Sequence, residues 1–194
     1  MYARYSDILR KSPEELLELK RLGLSLLTVG MESGSDAVLR NINKGFTSED
    51  IIKASAMLKS AGIAQFTSII LGLGGISGSY EHTSESIRVL NEIKPEGLGI
   101  GTLSPQEGTP LYDAIKNGSF ELPTNEIVYG EHIRYFRELN LPSTVFMSGF
   151  RGPPPYYKNG IMGKDADSFC RAIEDVYKLN PHAMKQKILL GAPF

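Results

Sequence analysis

Glu32 is the charged residue of this chain that is best placed for ligand chemistry. It follows Gly30, where a predicted strand ends, and in parallel α/β structures such strand ends gather at one mouth. A carboxylate there can accept hydrogen bonds from ribose hydroxyls or bind an ammonium group. Position alone allows an equal alternative, in which Glu32 caps the helix predicted to begin near Ser35 and Asp36.

Lys44 is the second candidate, and it lies in a turn between two predicted helical segments. Its long side chain could carry the ammonium group back to the same mouth, where it would pair with a carboxylate. On spacing alone, the better interpretation is a cation at a helix C-terminus, just before the cap at Gly45.

The segment from Leu71 to Gly78 is rich in glycine, which allows backbone N–H groups to approach a ligand closely. It does not complete the dinucleotide-binding pattern G-x-G-x-x-G, because Ser77 stands at the sixth position. The chain also lacks the phosphate-binding pattern G-x-x-x-x-G-K-[ST]. Neither a Rossmann nucleotide site nor nucleoside triphosphate hydrolysis is therefore indicated.

Histidine and cysteine indicate neither a catalytic nor a metal site. His82, His132 and His182 are too far apart for a local metal-binding motif. Cys170 is the only cysteine, which excludes a disulfide within the chain. Its place beside Phe169 in a predicted helix favours the role of a small buried side chain.

Composition favours small-molecule chemistry. The chain has 194 residues, of which 41% are hydrophobic and 22% charged, and its formal net charge is −1. This balance gives no sign of the basic surface that nucleic acid or an anionic membrane would require. The N-terminus lacks the apolar stretch of a signal peptide, and no window has the length of a membrane span. We expect a cytoplasmic protein.

Predicted strands and helices alternate along the chain, which favours a parallel α/β architecture. Strands are expected at residues 24–29, 65–71 and 98–103, with a further one at 143–147. Residues 149–163 contain three consecutive prolines and are predicted to be an irregular loop or linker. Two helices are expected after it, at 165–179 and 181–190.

Four segments in this order resemble the C-terminal half of the radical S-adenosylmethionine (SAM) superfamily core. They are residues 30–36, 42–45, 71–75 and 108–112, and the resemblance covers about residues 2–141. It is greatest to the branch with B12-associated, coproporphyrinogen-dehydrogenase-like and tRNA-modifying members. It implies an α/β fold, the C-terminal half of a partial (β/α)6 TIM-like barrel followed by a helical tail. The expected division is a barrel part at 1–148, beginning at the end of the third strand, a linker at 149–164 and helices at 165–194.

The resemblance also implies a cofactor site. In the family, SAM binds against a [4Fe–4S] cluster and yields a 5′-deoxyadenosyl radical that abstracts hydrogen. Glu32 takes a position that contacts polar groups of SAM, and Lys44 matches a basic residue near the SAM carboxylate. Ser68 and Ile70 match positions at the ribose and adenine, and Gly101 and Thr102 match an adenine-side contact. The whole set of expected cofactor-binding residues is Glu32, Ser33, Lys44, Ser68, Ile70, Gly72, Gly101 and Thr102.

The family's cluster ligands are missing. The three cysteines of its C-x-x-x-C-x-x-C loop are absent, and there is no room for the first two strand–helix units or for the glycine-rich segment that binds the SAM amino group. We therefore expect a fragment or split part of a radical SAM enzyme, inactive alone, with a cluster only when the N-terminal part is present. The alternative is a non-catalytic α/β half-barrel that serves as a binding or assembly module.

A half-barrel is expected to have unsatisfied edges. Strands 24–29 and 98–103 would each lack a neighbour, and such apolar strands are association sites. We expect the chain to pair with an N-terminal half-barrel, to self-associate, or to cover its edges with the proline-rich segment and the terminal helices.

Overall fold

A six-stranded sheet forms the centre of the computed structural model, which describes residues 1–150, 156–179 and 181–188. The strands lie in the order of the sequence. The first five are parallel and the sixth is antiparallel to the fifth. The strands are β1 (Tyr2–Ala3), β2 (Leu26–Glu32), β3 (Ala64–Leu71), β4 (Gly97–Thr102), β5 (Val145–Phe150) and β6 (Tyr156–Ile161).

Helices connect the parallel strands and cover one face of the sheet. They are α1 (Tyr5–Leu9), α2 (Pro13–Arg21), α3 (Asp36–Asn41), α4 (Ser48–Ser60), α5 (Gly75–Ile93), α6 (Pro110–Lys116), α7 (Asn125–Glu138), α8 (Met162–Leu179) and α9 (Pro181–Met184). Helices α1, α4, α5, α7 and α8 pack side by side in chain order. A sheet wound in one direction, with its helices in a single layer, is the arrangement of a β/α barrel, so the predicted α/β fold class is confirmed.

Local sequence signals explain where several helices begin. Ser12 accepts a hydrogen bond from the N–H of Glu15, and Pro13 occupies the first helical position of α2, as predicted. Thr47 caps α4 in the same way through Asp50. These caps satisfy backbone donors that have no partner inside the helix.

Alternation along the strands separates two faces of the sheet. In β2, Leu27, Val29 and Met31 are buried under the helices, whereas the residues between them are partly exposed. We call the face opposite the helices the open face. It carries Tyr2, Leu26, Thr28, Gly30, Glu32, Phe66, Ser68, Ile70, Gly97, Gly99, Gly101, Val145 and Met147. Four of its large apolar side chains are exposed, namely Tyr2, Leu26, Val145 and Met147.

The edges of the sheet differ from the prediction. Strand 98–103 was expected to lack a neighbour, and this is wrong, because β4 pairs with β3 on one side and with β5 on the other. Strand β2 does have one neighbour missing along most of its length, since β1 pairs only with Thr28 and Val29.

The prediction of an irregular loop at 149–163 is wrong over Tyr156–Ile161. These residues form β6, which pairs antiparallel with β5, and α8 begins directly after it at Met162. Tyrosine and isoleucine fit a pleated strand once a partner strand is available. The three prolines at 153–155 lie outside the described residues, as do 189 and 190 of the predicted last helix, of which the structure describes a helix only at Pro181–Met184. The division into barrel, linker and tail stays a prediction.

Among the residues that the structure describes, no helix is both long enough and apolar enough to cross a membrane.

Candidate functional site

Glu32 ends β2 in an unusual backbone conformation. Its φ is 64°, in the left-handed region, and the pairing of β2 with β3 shifts register between Gly30 and Glu32. The bulge turns the carboxylate back over Gly30, where an added Cβ would lie 2.2 Å from Glu32 Oε1. A Cβ at position 30 would therefore displace this carboxylate, and the bulge aims the charge across the open face.

The Glu32 carboxylate has two partners from distant parts of the chain. Lys44 Nζ lies 3.0 Å from Oε1, and the Ser68 hydroxyl donates to Oε2 at 3.2 Å. The side chains of Lys44 and Glu32 are 27% and 17% exposed, so a ligand can still reach them. The alternative role of Glu32 as a helix cap is excluded, because Ser35 caps α3 by accepting from the N–H of Val38.

The pairing of Lys44 with Glu32 also decides between the two interpretations of Lys44. Its ammonium group reaches back to the strand ends instead of serving as a helix C-terminal cation. The ammonium additionally lies 5.8 Å from the centre of the Phe46 ring. Glu32, Lys44 and Ser68 thus form a polar cluster, which we call the strand-end cluster.

Glycines on β4 leave a flat area beside the strand-end cluster. Gly97 and Gly99 lie under the Phe66 ring, whose carbon atoms a Cβ would meet at 2.3 Å and 3.1 Å. Gly101 is different, because a Cβ there would meet only the Ile69 carbonyl oxygen, at 3.8 Å. Gly101 pairs with Ile70, so the strand ends offer an uncovered, nearly side-chain-free surface at this point.

Three of the predicted cofactor residues do not lie on the open face. Ser33 is fully buried, and its hydroxyl contacts His82 and the N–H of Ser35. Gly72 is also buried, with φ 81°. Thr102 alternates with Gly101 and so lies on the helix side of the sheet. The structure therefore brings together Glu32, Lys44, Ser68, Ile70 and Gly101, and places Ser33, Gly72 and Thr102 behind them.

Two buried titratable residues support these strand ends. His82 contacts both Ser33 Oγ, at 2.8 Å, and the Ile70 carbonyl, at 3.1 Å, and burial lowers its pKa to about 4. Glu131 on α7 accepts from the Gly72 N–H at 2.6 Å and from the Ser79 hydroxyl at 2.5 Å. Burial raises the pKa of this carboxyl to about 7. The sequence indicated neither a catalytic nor a metal-binding role for His82 and carried no signal for Glu131, since neither residue belongs to a local motif.

Cys170 belongs to α8, which packs against α7. It is buried in α8 as predicted, and burial raises the pKa of its thiol. Within residues 1–150, 156–179 and 181–188, no group of three or more His, Cys, Asp or Glu residues could hold a metal ion.

Several known proteins are similar to parts of this chain. The model of the radical SAM superfamily matches residues 4–87. The tRNA uridine(34) acetyltransferase of Methanocaldococcus infernus is 26% identical over 153 residues, which are 72% of this chain and 28% of that protein. The tRNA-2-methylthio-N(6)-dimethylallyladenosine synthase of Sulfurihydrogenibium sp. is 30% identical over 89 residues, 45% of this chain and 20% of that protein. The chain thus spans less than a third of the length of these relatives.

Two solved structures are similar to this chain in fold. The archaeal Methanocaldococcus infernus Elp3 superposes with a TM-score of 0.57 at 25% identity, covering 69% of this chain and 31% of Elp3. Methylornithine synthase superposes with a TM-score of 0.50 at 18% identity, covering 91% of this chain and 56% of that enzyme. Together these matches support the radical SAM superfamily, and in particular its tRNA-modifying branch.

Proposed function

We propose that this chain supplies part of the SAM-binding surface of a radical SAM enzyme, and that the cluster ligands come from outside these 194 residues. The observation that carries the proposal is the strand-end cluster. It sets an ammonium group, a carboxylate and a hydroxyl side by side on the open face, next to the flat surface at Gly101.

The side chains present fit the polar groups of SAM. The Lys44 ammonium suits the carboxylate of the methionine part, and the Glu32 carboxylate suits its amino group or the ribose hydroxyls. Ser68 adds a hydroxyl that can donate and accept. Ile70 and Gly101 give the adenine ring an apolar side chain and an unobstructed strand. Radical hydrogen abstraction is the chemistry that the bound cofactor supplies, and the role of this chain is to bind and orient it.

A [4Fe–4S] cluster needs several thiolate ligands, and this chain has one cysteine, which is buried. We therefore expect that anaerobic reconstitution of the chain alone will not yield stoichiometric iron and sulfide. Recovery of a full cluster with its charge-transfer absorption would contradict the proposal that the ligands come from elsewhere.

Binding of S-adenosylhomocysteine tests the surface itself. Titration followed by NMR shifts of backbone amides should show weak, saturable binding at the ends of β2, β3 and β4. Replacing Lys44 by Met removes one charge-assisted hydrogen bond, which is worth roughly 1.5–3 kcal/mol, so affinity should fall about tenfold or more.

Lys11→Met is the matched control. Lys11 forms an exposed ion pair with Glu15 of α2, at 3.1 Å, so its loss should leave binding unchanged. If both variants bind as the wild type does, the strand-end cluster is a structural ion pair. If the wild type shows no shifts at millimolar ligand, the proposed surface is wrong.

The second candidate, an assembly module, is supported by the exposed apolar residues of the open face. Val145 and Met147 are 49% and 52% exposed on β5, and Tyr2 is 86% exposed on β1. Such a surface favours a second copy or an N-terminal half-barrel as partner. Light scattering should then show association that rises with concentration and is lost in Met147→Glu. Leu17→Glu, at a residue that is 54% exposed on α2, should associate like the wild type.

A further inference from the structure

A buried histidine on α5 joins the ends of two neighbouring strands. His82 is fully buried, with Nδ1 2.8 Å from Ser33 Oγ and Nε2 3.1 Å from the carbonyl oxygen of Ile70. Ser33 directly follows Glu32 of the strand-end cluster, and Ile70 lies beside Gly101. One imidazole ring therefore bridges the charged part and the flat part of the candidate site from behind.

The contacts assign each nitrogen of the ring a role. The Ile70 carbonyl can only accept, so Nε2 must carry the proton and donate to it. Burial lowers the pKa of His82 to about 4, which keeps the ring neutral near pH 7. Nδ1 is then an acceptor, and the Ser33 hydroxyl donates to it. The Ser33 oxygen in turn accepts from the N–H of Ser35 at 3.0 Å, which gives one continuous chain of hydrogen bonds.

Other residues of α5 contact the loop after β2, to which Ser33 belongs. The Ser86 hydroxyl accepts from the Gly34 N–H at 2.8 Å, and Glu81 accepts from the Ser35 hydroxyl at 2.7 Å. Gly34 lies so close to α5 that a Cβ would come within 2.4 Å of the Glu85 carbonyl oxygen. The loop after β2 is thus fastened to α5, and His82 is the member of this set that also reaches β3.

We propose that His82 is a positioning residue for the cofactor surface, because it fixes the spacing between Glu32 and the Ile70–Gly101 area. The proposal rests on the function proposed above for these strand ends. Since the polar groups and the adenine ring of one ligand would contact the two areas at once, a change in their spacing weakens binding even when every contacting side chain is intact.

Two substitutions each keep one half of the bridge. The amide of His82→Asn can lie where Nδ1 lies and keep the bond to Ser33, whereas the amide of His82→Gln can reach the position of Nε2 and keep the bond to Ile70. Either variant breaks the link between the strands. We expect both to weaken S-adenosylhomocysteine binding by roughly threefold to tenfold, which corresponds to one net hydrogen bond.

Thr83→Val is the matched control. Thr83 is also fully buried on α5, but its hydroxyl donates to the Ser79 carbonyl of the same helix at 2.8 Å. Its loss should lower stability while leaving ligand affinity, measured well below the melting temperature, unchanged. If all three variants bind like the wild type, or all three weaken binding alike, His82 has only a structural role and the inference is overturned.

Measurements without ligand test the hydrogen bonds of His82 to Ser33 and Ile70 independently of the proposed function. Long-range ¹H–¹⁵N NMR should show His82 as the neutral Nε2–H tautomer. Amide exchange of Ser35 should speed up in His82→Gln, which loses the bond to Ser33, but not in His82→Asn or Thr83→Val. The Nδ1–H tautomer, or unchanged Ser35 exchange in His82→Gln, would overturn the inference even if the wild type binds. Absent binding, with the predicted tautomer and exchange, would instead contradict the proposed function alone.

Discussion

The two faces of the sheet are built from the same strands for different purposes. On the helix side, Val29, Ile69 and Leu98 are completely buried and hold the layers together. On the open side, β2, β3 and β4 carry a carboxylate, hydroxyls and glycines, and Lys44 reaches the carboxylate from the turn before α4. Because side chains alternate along a strand, the residues that stabilise the fold and those available to a ligand can be neighbours in sequence and still be independent. Adjacent substitutions should therefore have very different effects.

The largest difference is expected between two neighbours on β5. Phe146 is fully buried among Phe136 and Phe169, whereas Met147 is 52% exposed on the open face. Phe146→Ala should lower the free energy of unfolding by about 3–5 kcal/mol, because it removes a core aromatic ring and leaves a cavity. Met147→Ala should change it by less than about 0.5 kcal/mol. Urea denaturation measures both, and a large loss in the second would mean that the open face is covered.

Two glycines test the same difference between the helix side and the open face. Gly34→Ala would place a Cβ 2.4 Å from a backbone oxygen of α5, so the helix or the loop must shift, at a cost of roughly 1–3 kcal/mol. Gly101→Ala meets nothing nearer than 3.8 Å and should leave stability unchanged. It should nevertheless weaken S-adenosylhomocysteine binding, because the methyl group would occupy the flat surface. Calorimetry of unfolding and of ligand binding gives both results, and the reverse pattern would contradict the assignment of the two sides.

Three buried titratable groups on the helix side should make the stability of the protein depend on pH. Burial raises the pKa of Glu131 to about 7 from 4.5, and lowers that of His82 to about 4 and of His132 to about 3 from 6.5. Between about pH 5 and 6 the unfolded chain binds protons at both histidines that the folded protein does not, so stability rises with pH. Glu131 has the opposite effect, because it keeps its proton only when folded.

The effects of the two histidines and of the one carboxyl have opposite signs. Together they should raise the free energy of unfolding of the wild type by about 1.4 kcal/mol per pH unit in this range. Glu131→Gln removes the opposing group, and the rise should roughly double. His82→Gln should nearly abolish it. Chemical denaturation at several pH values measures these slopes, and equal slopes in all three proteins would show that the groups titrate alike in the folded and unfolded states.

The smallest effect concerns backbone strain on the open face. Glu32→Gly and Glu32→Ala both lose the ion pair with Lys44, but the φ of 64° costs an alanine roughly 1 kcal/mol that glycine avoids. The Gly variant should therefore be the more stable of the two by about that amount. At Thr28, on the same strand and face but without a positive φ, the order should be reversed. The same order at both positions would mean that the bulge relaxes when the carboxylate is lost.

Much of the fold could be predicted from local sequence. Residues 65–71 were expected as a strand and the structure has Ala64–Leu71, because a short segment bounded by the turn residues Gly62 and Gly72 is a local signal. The start of α2 at Pro13 was predicted from its capping residues for the same reason. The strand Tyr156–Ile161 was missed, since its conformation depends on β5 as a partner and the nearby prolines indicated a loop.

The sequence by itself determined the alternation of strands and helices, the family resemblance and the presence of a carboxylate, a lysine and glycines near strand ends. Only the tertiary structure decided how these residues meet. Glu32 contacts Lys44 across 12 positions of the chain and Ser68 across 36, and His82 contacts Ser33 across 49. No spacing rule for a helix or a strand links residues so far apart. Their contacts arise because parallel strands bring their carboxyl ends to one edge of the sheet, and because a bulge at Gly30 and a buried histidine then set the side chains there.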